Sequence, residues 1–235
     1  MNTGTIYLIP SPISDADPLK FLPPAILEII PHLEFFYVEN IRTTRRFLSK
    51  IGIRGIESLR FEVLDKDTSD DEIKNLLIPI LEGSSAGILS EAGCPGIADP
   101  GSAFIRSAHA AGIRVVPLPG PSSIFLALMA SGFNGQNFVF HGYLPIDNMA
   151  RGKRIRELEM QSKKLNQTQI FMETPYRNRQ LILSLLSILN DTTRICIAAD
   201  LTGNSEFIKT QRVVDWKKQI PDLHKKPAIY LLSYL

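Results

Sequence analysis

Cysteine is scarce. Only Cys94 and Cys196 occur among 235 residues, in dissimilar contexts, so neither a disulfide scaffold nor a cysteine-rich metal cluster can be built. The histidines are His32, His109, His141 and His224, too scattered to show metal-ligand spacing, and no metal is expected. A formal net charge of +2 is too small to make nucleic acid the default partner, although local basic clusters still count. No apolar run approaches the roughly 18 residues that read as a membrane span, and no secretory apolar segment opens the chain. A cytoplasmic protein without membrane attachment is expected. The chain also has no G-x-G-x-x-G and no G-x-x-x-x-G-K-[ST], which removes the usual dinucleotide and phosphate-loop readings.

What remains is ordinary folded composition: 44% hydrophobic and 21% charged residues, with length enough for one large or two smaller α/β domains. Short β-branched or aromatic runs alternate with 3.6-periodic stretches, the pattern of strand-helix-strand units around a mostly parallel sheet. Strands are read at 4–9, 34–39, 86–90, 113–117, 137–143, 168–173 and 194–199, with a β-rich end closing at 227–234. Helices are read over 19–31, 43–50, 70–82, 102–111, 123–131, 150–163 and 177–189. Pro23 and Pro24 place the true start of the first helix close to themselves. The acidic stretch 65–72 has a local explanation, an N-cap and carboxylates that complement a helix dipole. PLPGPSS (117–123) breaks the periodicity and sets a domain boundary, giving 1–117 and 118–235.

The most unusual stretch is SEAGCPGIADPG, residues 90–101, directly after a buried-looking strand. Gly93, Gly96 and Gly101 allow a ligand to approach the main chain, while Pro95 and Pro100 stiffen the loop. In open α/β sheets ligands bind beyond the carboxyl ends of the strands, where this loop falls if 86–90 is parallel. A purely structural strand-to-helix turn has the same composition. The second small-residue loop, PGPSS, also follows a strand end and could form a facing wall.

In order, SEAGCPGIADPG, AGIRVVPLPGPSS, FHGYLP (140–145), RGKR (151–154) and FMETPYR (171–177) resemble the tetrapyrrole methylase superfamily. Within it they are most similar to the small-subunit ribosomal RNA methyltransferase I branch, which acts on ribose 2′-hydroxyls. The resemblance covers nearly the whole chain. It implies two α/β domains of the tetrapyrrole methylase type, with S-adenosylmethionine in the cleft between them, usually in a homodimer. The loop with Gly93, Cys94, Pro95, Ile97 and Ala98 would hold the methionine end of the cofactor, with Ser122 and Ser123 beside it. Met172 and Ala199 would wall the adenine, and Pro10 would face the cofactor from the first loop. Ribosomal RNA or the small ribosomal subunit would be the partner. Chemically, a sulfonium methyl is already electrophilic, so such an enzyme mainly aligns nucleophile, methyl and leaving sulfur.

Segments on the substrate side depart from the family pattern. A-E-D-T-R becomes Val38-Glu39-Asn40-Ile41-Arg42, the histidine-asparagine pair becomes Leu64-Asp65-Lys66-Asp67, and R-E-L-T-K becomes Ala199-Asp200-Leu201-Thr202-Gly203. Two alternatives therefore stand beside the RNA reading: transfer to a corrin-type tetrapyrrole, or a cofactor-binding protein without transferase activity. Glu39, Arg42 and Asp99 are the catalytic candidates, with Glu91 a further proton acceptor. Each carboxylate has a structural reading: Glu39 pairing with Arg42, Asp99 capping the helix near Gly101, Glu91 in solvent. Cys94 reads as a small neutral lining residue rather than a reactive thiol. Arg42, Arg45 and Arg46 form one basic cluster, and Arg151, Lys153, Arg154, Arg156, Lys163 and Lys164 a second, able to track phosphates or to form solvated helix faces.

Overall fold

Five short strands order the first half of the chain: β1 (Thr5–Leu8), β2 (Phe35–Val38), β3 (Arg60–Val63), β4 (Ala86–Leu89) and β5 (Arg114–Pro117). In this computed structural model, which describes residues 3–234, they form one sheet in the order β3-β2-β4-β1-β5. Every pairing in it is parallel. Central β4, with the sequence AGIL, is buried at every position, as a strand covered on both faces must be. Helices α1 (Pro24–Ile29), α2 (Ile41–Lys50), α3 (Asp70–Leu81) and α4 (Gly101–Ala110) supply the covering layers. Ile6, Tyr37, Ile73, Leu77 and Phe104 fill one core, and Ile9, Ile26, Phe36, Phe47 and Leu48 the other. Each such fully buried side chain contributes about 1.5–3 kcal/mol relative to exposure.

Local chemistry explains the element boundaries. Ser69 and Glu72 form a reciprocal capping box at the start of α3, so the acidic run is used as a helix start. The helix read over 19–31 starts at Pro24, close to where its prolines place it, as α1; 3₁₀ turns at Pro18–Lys20 and Ile30–His32 take up the rest of that span. Pro23 and Pro24 have no N–H to donate, and a proline disfavours helical backbone in the residue before it, so no helix runs through them.

The chain divides into two units between Ser122 and Ser123, whereas the sequence reading divides it after Pro117. The intervening LPGPS (118–122) belongs with the first unit. Leu118 donates its N–H to the Leu8 carbonyl at 3.0 Å, and a Cβ on Gly120 would lie 2.4 Å from that of Pro10.

In the second unit β6 (Phe138–Tyr143), β7 (Thr168–Glu173), β8 (Arg194–Ala199), β9 (Phe207–Arg212) and β10 (Ala228–Ser233) form a sheet in the order β6-β7-β10-β8-β9. Here only β6 and β7 are parallel; β7-β10, β10-β8 and β8-β9 are antiparallel. The mostly parallel expectation therefore describes the first sheet and not the second. For β8 and β9 the reason is connection length: the tight turn over 200–206 is too short for the crossover that parallel neighbours require. Helices α5 (Ser123–Ser131), α6 (Asn148–Leu165), α7 (Asn178–Ile188) and short α8 (Val213–Trp216) pack around this sheet. Among the described residues no helix is long and apolar enough to cross a membrane.

Candidate functional site

At the carboxyl edge of the first sheet, each strand hands the chain to a loop. The loop after β4 is pinned to the loop after β1 by a two-way bridge: Ser11 N–H donates to the Gly93 carbonyl at 2.8 Å, and Gly93 N–H to the Ser11 carbonyl at 3.1 Å. Ser11 Oγ donates to the Ser90 carbonyl at 2.7 Å, which fixes where β4 ends. Beyond the bridge the backbone turns left-handed at Gly93 (φ +77°), Gly96 (φ +82°) and Ala98 (φ +60°). The first two are free of steric cost as glycines; Ala98 is held there by its neighbours.

The holder is Asp99. Its Oδ1 accepts the Gly96 N–H at 2.7 Å and the Gly101 N–H at 2.8 Å, tying both ends of the turn to one atom. The capping role expected for Asp99 is thus present, exerted one residue before Pro100, which precedes α4. Pro95 is buried, Ile97 is exposed on the rim, and Cys94 Sγ lies 3.6 Å from the Pro121 carbonyl. Among the described residues the main-chain N–H groups of Cys94 and Ala98 have no protein acceptor. A stiff loop with open amides suits a ligand that carries a carboxylate, as the methionine end of S-adenosylmethionine does.

Three carboxylates converge beside this loop. Glu39 and Asp99 line a narrow crevice with Tyr37, Leu64, Pro100 and Gly101, at the ends of β2, β3 and β4. Burial raises the pKa of Glu39, and the charges of Asp99 and Glu91 raise it further, against a main-chain pull from Glu91. Burial also raises the pKa of Asp99, partly offset by the Gly101 and Gly96 N–H groups. Burial, helped by Asp99, pushes the Cys94 thiol up, so it stays protonated at neutral pH and is no thiolate nucleophile. The pairing considered for Glu39 and Arg42 is not made: no ion pair joins them among the described residues, and Arg42 points to solvent. Asn40, where the family pattern has a carboxylate, caps α2 by accepting the Thr43 N–H at 3.1 Å.

The two basic clusters part company. On α2, Arg42, Arg45 and Arg46 are all exposed; Arg45 lies 5.1 Å over the Phe61 ring, and Arg46 meets exposed Asp15 at 3.3 Å. On α6, Arg151 is buried and leaves the phosphate-tracking set, because its guanidinium is used up on the Ile146 carbonyl, Ser184 Oγ and Asn148 Oδ1. Arg154 donates to Glu157 at 3.2 Å and to His141 Nδ1 at 3.0 Å. Since a guanidinium only donates, that nitrogen of His141 accepts, and Nε2 donates to Gln169 Oε1 at 2.7 Å. Burial lowers the His141 pKa, with Arg154 acting in the same sense, consistent with a neutral imidazole.

Of the remaining expected site residues, Pro10 is buried beneath Gly120, and Ser122 and Ser123 are half-buried at the junction of the units. Met172 is half-buried on β7. Ala199 is fully enclosed in the second core, on a strand flanked by β10 and β9. Sequence reasoning assigned no role to Glu173 and Arg177 in FMETPYR. They form an ion pair at 2.7 Å, with the Glu173 carboxylate also accepting the Thr174 N–H; their i, i+4 spacing was the available signal. No cluster of three or more potential metal ligands occurs among the described residues.

The family model "Tetrapyrrole (Corrin/Porphyrin) Methylases" matches residues 22–214. A protein of Vibrio cholerae named "Ribosomal RNA small subunit methyltransferase I" is 30% identical over 232 residues, 97% of this chain and 76% of that protein. Proteins of the same name from Escherichia coli O157:H7 and Xylella fastidiosa are 30% identical over 233 residues and 34% over 205. These cover 98% and 87% of this chain, and 78% and 71% of the respective relatives. Among solved structures, the methyltransferase CobJ superposes with a TM-score of 0.64 at 17% identity, covering 99% of this chain and 94% of CobJ. At that identity the likeness shows a shared fold.

Proposed function

This chain belongs to the tetrapyrrole methylase family and is a methyltransferase, and we propose that it transfers the methyl of S-adenosylmethionine to a ribose 2′-hydroxyl of small-subunit ribosomal RNA. The observation that carries the reading is the match to relatives named for ribosomal RNA at about 30% identity across 97% of the chain. A match this long includes the substrate-side segments as well as the cofactor loops.

The physical features of each unit support it. In the first unit, Pro10, Gly93, Cys94, Pro95, Ile97, Ala98 and Ser122 offer the cofactor a stiff main-chain cradle. In the second, half-buried Ser123 and Met172 contribute side chains, with Ala199 enclosed in the core. A sulfonium methyl needs alignment and a dry, shaped slot rather than a metal or a covalent nucleophile. The exposed arginines of α2 supply phosphate contacts beside the candidate site, and such contacts position an RNA rather than read its sequence.

The working form is a cytoplasmic homodimer. Met129 on α5 is 78% exposed, Tyr143 on β6 is 55% exposed and Phe125 on α5 is 49% exposed, large apolar side chains that a second copy would cover.

The test is transfer of labelled methyl to small ribosomal subunits isolated from a strain lacking this protein. Label recovered in a 2′-O-methyl nucleotide after digestion supports the reading and identifies the position. Label absent from subunits but accepted by a corrin-type tetrapyrrole overturns the RNA acceptor, and failure of calorimetry to detect cofactor binding overturns the methyltransferase reading itself.

A further inference from the structure

Three carboxylates meet at the end of the first sheet, but they are not equivalent. Asp99 is engaged: its Oδ1 already takes two main-chain N–H groups, from Gly96 and Gly101. Glu91 is exposed. Glu39 sits one residue past β2, next to the end of β4 in the parallel register that pairs Val38 with Leu89, and shares the crevice with Asp99. No cation neutralises it among the described residues, and Arg42, one turn along the chain, points to solvent.

We propose that Glu39 is the proton acceptor of the methyl transfer and that Asp99 is a positioning residue, which shapes the cofactor loop and holds a negative charge against Glu39. This rests on the RNA-methylating reading above. In the step, the ribose O2′ forms a bond to the methyl carbon as the carbon–sulfur bond breaks. The electron pair of that bond stays on sulfur, leaving a neutral thioether, and the O2′ proton passes to the Glu39 carboxylate. A carboxylate of ordinary acidity is a weak acceptor for a hydroxyl proton. Burial, together with the charges that face Glu39, Asp99 and Glu91, both on the loop after β4, makes it a better one. The rest of the crevice lining is Tyr37, Val38, Leu64, Ile88, Leu89, Pro100 and Gly101, with no cation among them.

The experiment compares Glu39→Gln, Asp99→Asn and Asp99→Ala with the unaltered protein by calorimetry with S-adenosylmethionine and by the pH profile of methyl transfer to small subunits. Glu39→Gln should lower kcat by roughly 10²–10⁴-fold with cofactor affinity unchanged. Asp99→Asn keeps an oxygen that can accept both N–H groups, so its cofactor affinity should stay within about threefold. Asp99→Ala should weaken affinity by roughly tenfold or more. Asp99→Asn should also move the acid limb of the kcat profile to lower pH, because the charge that raises the Glu39 pKa is gone. A kcat for Glu39→Gln within threefold of the unaltered protein, or an acid limb unmoved in Asp99→Asn, overturns the assignment while leaving the RNA reading intact. Equal loss of cofactor affinity in Asp99→Asn and Asp99→Ala overturns the positioning role. Absence of any transfer by the unaltered protein overturns both the RNA reading and this assignment.

Discussion

Asp99 Oδ1 lies 2.7 Å from the Gly96 main-chain nitrogen, and this one contact closes the left-handed turn that separates β4 from α4. The same oxygen receives the first N–H of α4. The loop 90–101, helix start and carboxylate cluster are therefore coupled through a single side chain, and a change to one is felt by the others.

The pH dependence of stability should expose that coupling. The folded-state pKa of Glu39 is raised, so its ionised form is less favourable in the folded chain than in the unfolded one, a cost fully present above the folded pKa. The cost disappears as pH falls below the unfolded value near 4.5. Glu39→Gln should accordingly raise the melting temperature at pH 7 and give no gain near pH 4. A lower melting temperature at pH 7 would show that the carboxylate makes a net stabilising contact.

Gly120 is required by close approach to Pro10 rather than by a turn. An added Cβ would stand 2.4 Å from the Pro10 Cβ, on a rigid ring that cannot swing aside. Gly120→Ala should destabilise the first unit by about 1–3 kcal/mol in urea unfolding, the usual cost of overpacking. A difference below roughly 0.5 kcal/mol would mean that the 117–121 loop moves away without penalty.

The two basic clusters predict opposite phenotypes. Reversing the charges of Arg45 and Arg46 should weaken binding to small-subunit RNA and flatten its salt dependence, with the melting temperature nearly unchanged, since the Arg46–Asp15 pair is highly exposed. Arg151→Ala should do the reverse. It strips donors from Ile146, Asn148 and Ser184 and opens a void, for about 2–4 kcal/mol of lost stability, with the RNA salt slope retained. Filter binding across a salt series together with thermal melting separates the two.

Thiol chemistry offers a further check. Burial and the Asp99 charge raise the Cys94 pKa above its ordinary value of 9.0, and Cys196 is fully buried. Iodoacetamide should therefore label the folded protein slowly at pH 7.5, at Cys94 alone, and faster only as pH climbs beyond the ordinary thiol range. Rapid labelling of Cys94 at pH 7.5 would show a thiolate.

Much of the fold was legible from local signals. The strand spans 168–173 and 194–199 and the helix 123–131 coincide with β7, β8 and α5, since apolar runs bounded by turn residues are a local property. The Ser69–Glu72 box was visible as an N-cap signal for the same reason. What escaped depends on partners remote in sequence. Arg151 looks like a surface cation within RGKR, yet it falls on the i, i+4 stripe with Ile155 and Glu159 that α6 turns inward, and only packing against α7 decided that this stripe was buried. The antiparallel pairings of the second sheet likewise follow from how β10 inserts between β7 and β8, which no periodicity encodes.

By itself the sequence determined the alternation of strands and helices, the loop 90–101 and the family, because each is carried by residues that are neighbours along the chain. Only the tertiary structure decided that Glu39, Glu91 and Asp99 share one locality and that Asp99 is already engaged. The parallel pairing of β2 with β4 brings residues some fifty positions apart to the same sheet edge, and burial there, not composition, raises the affinity of Glu39 and Asp99 for protons.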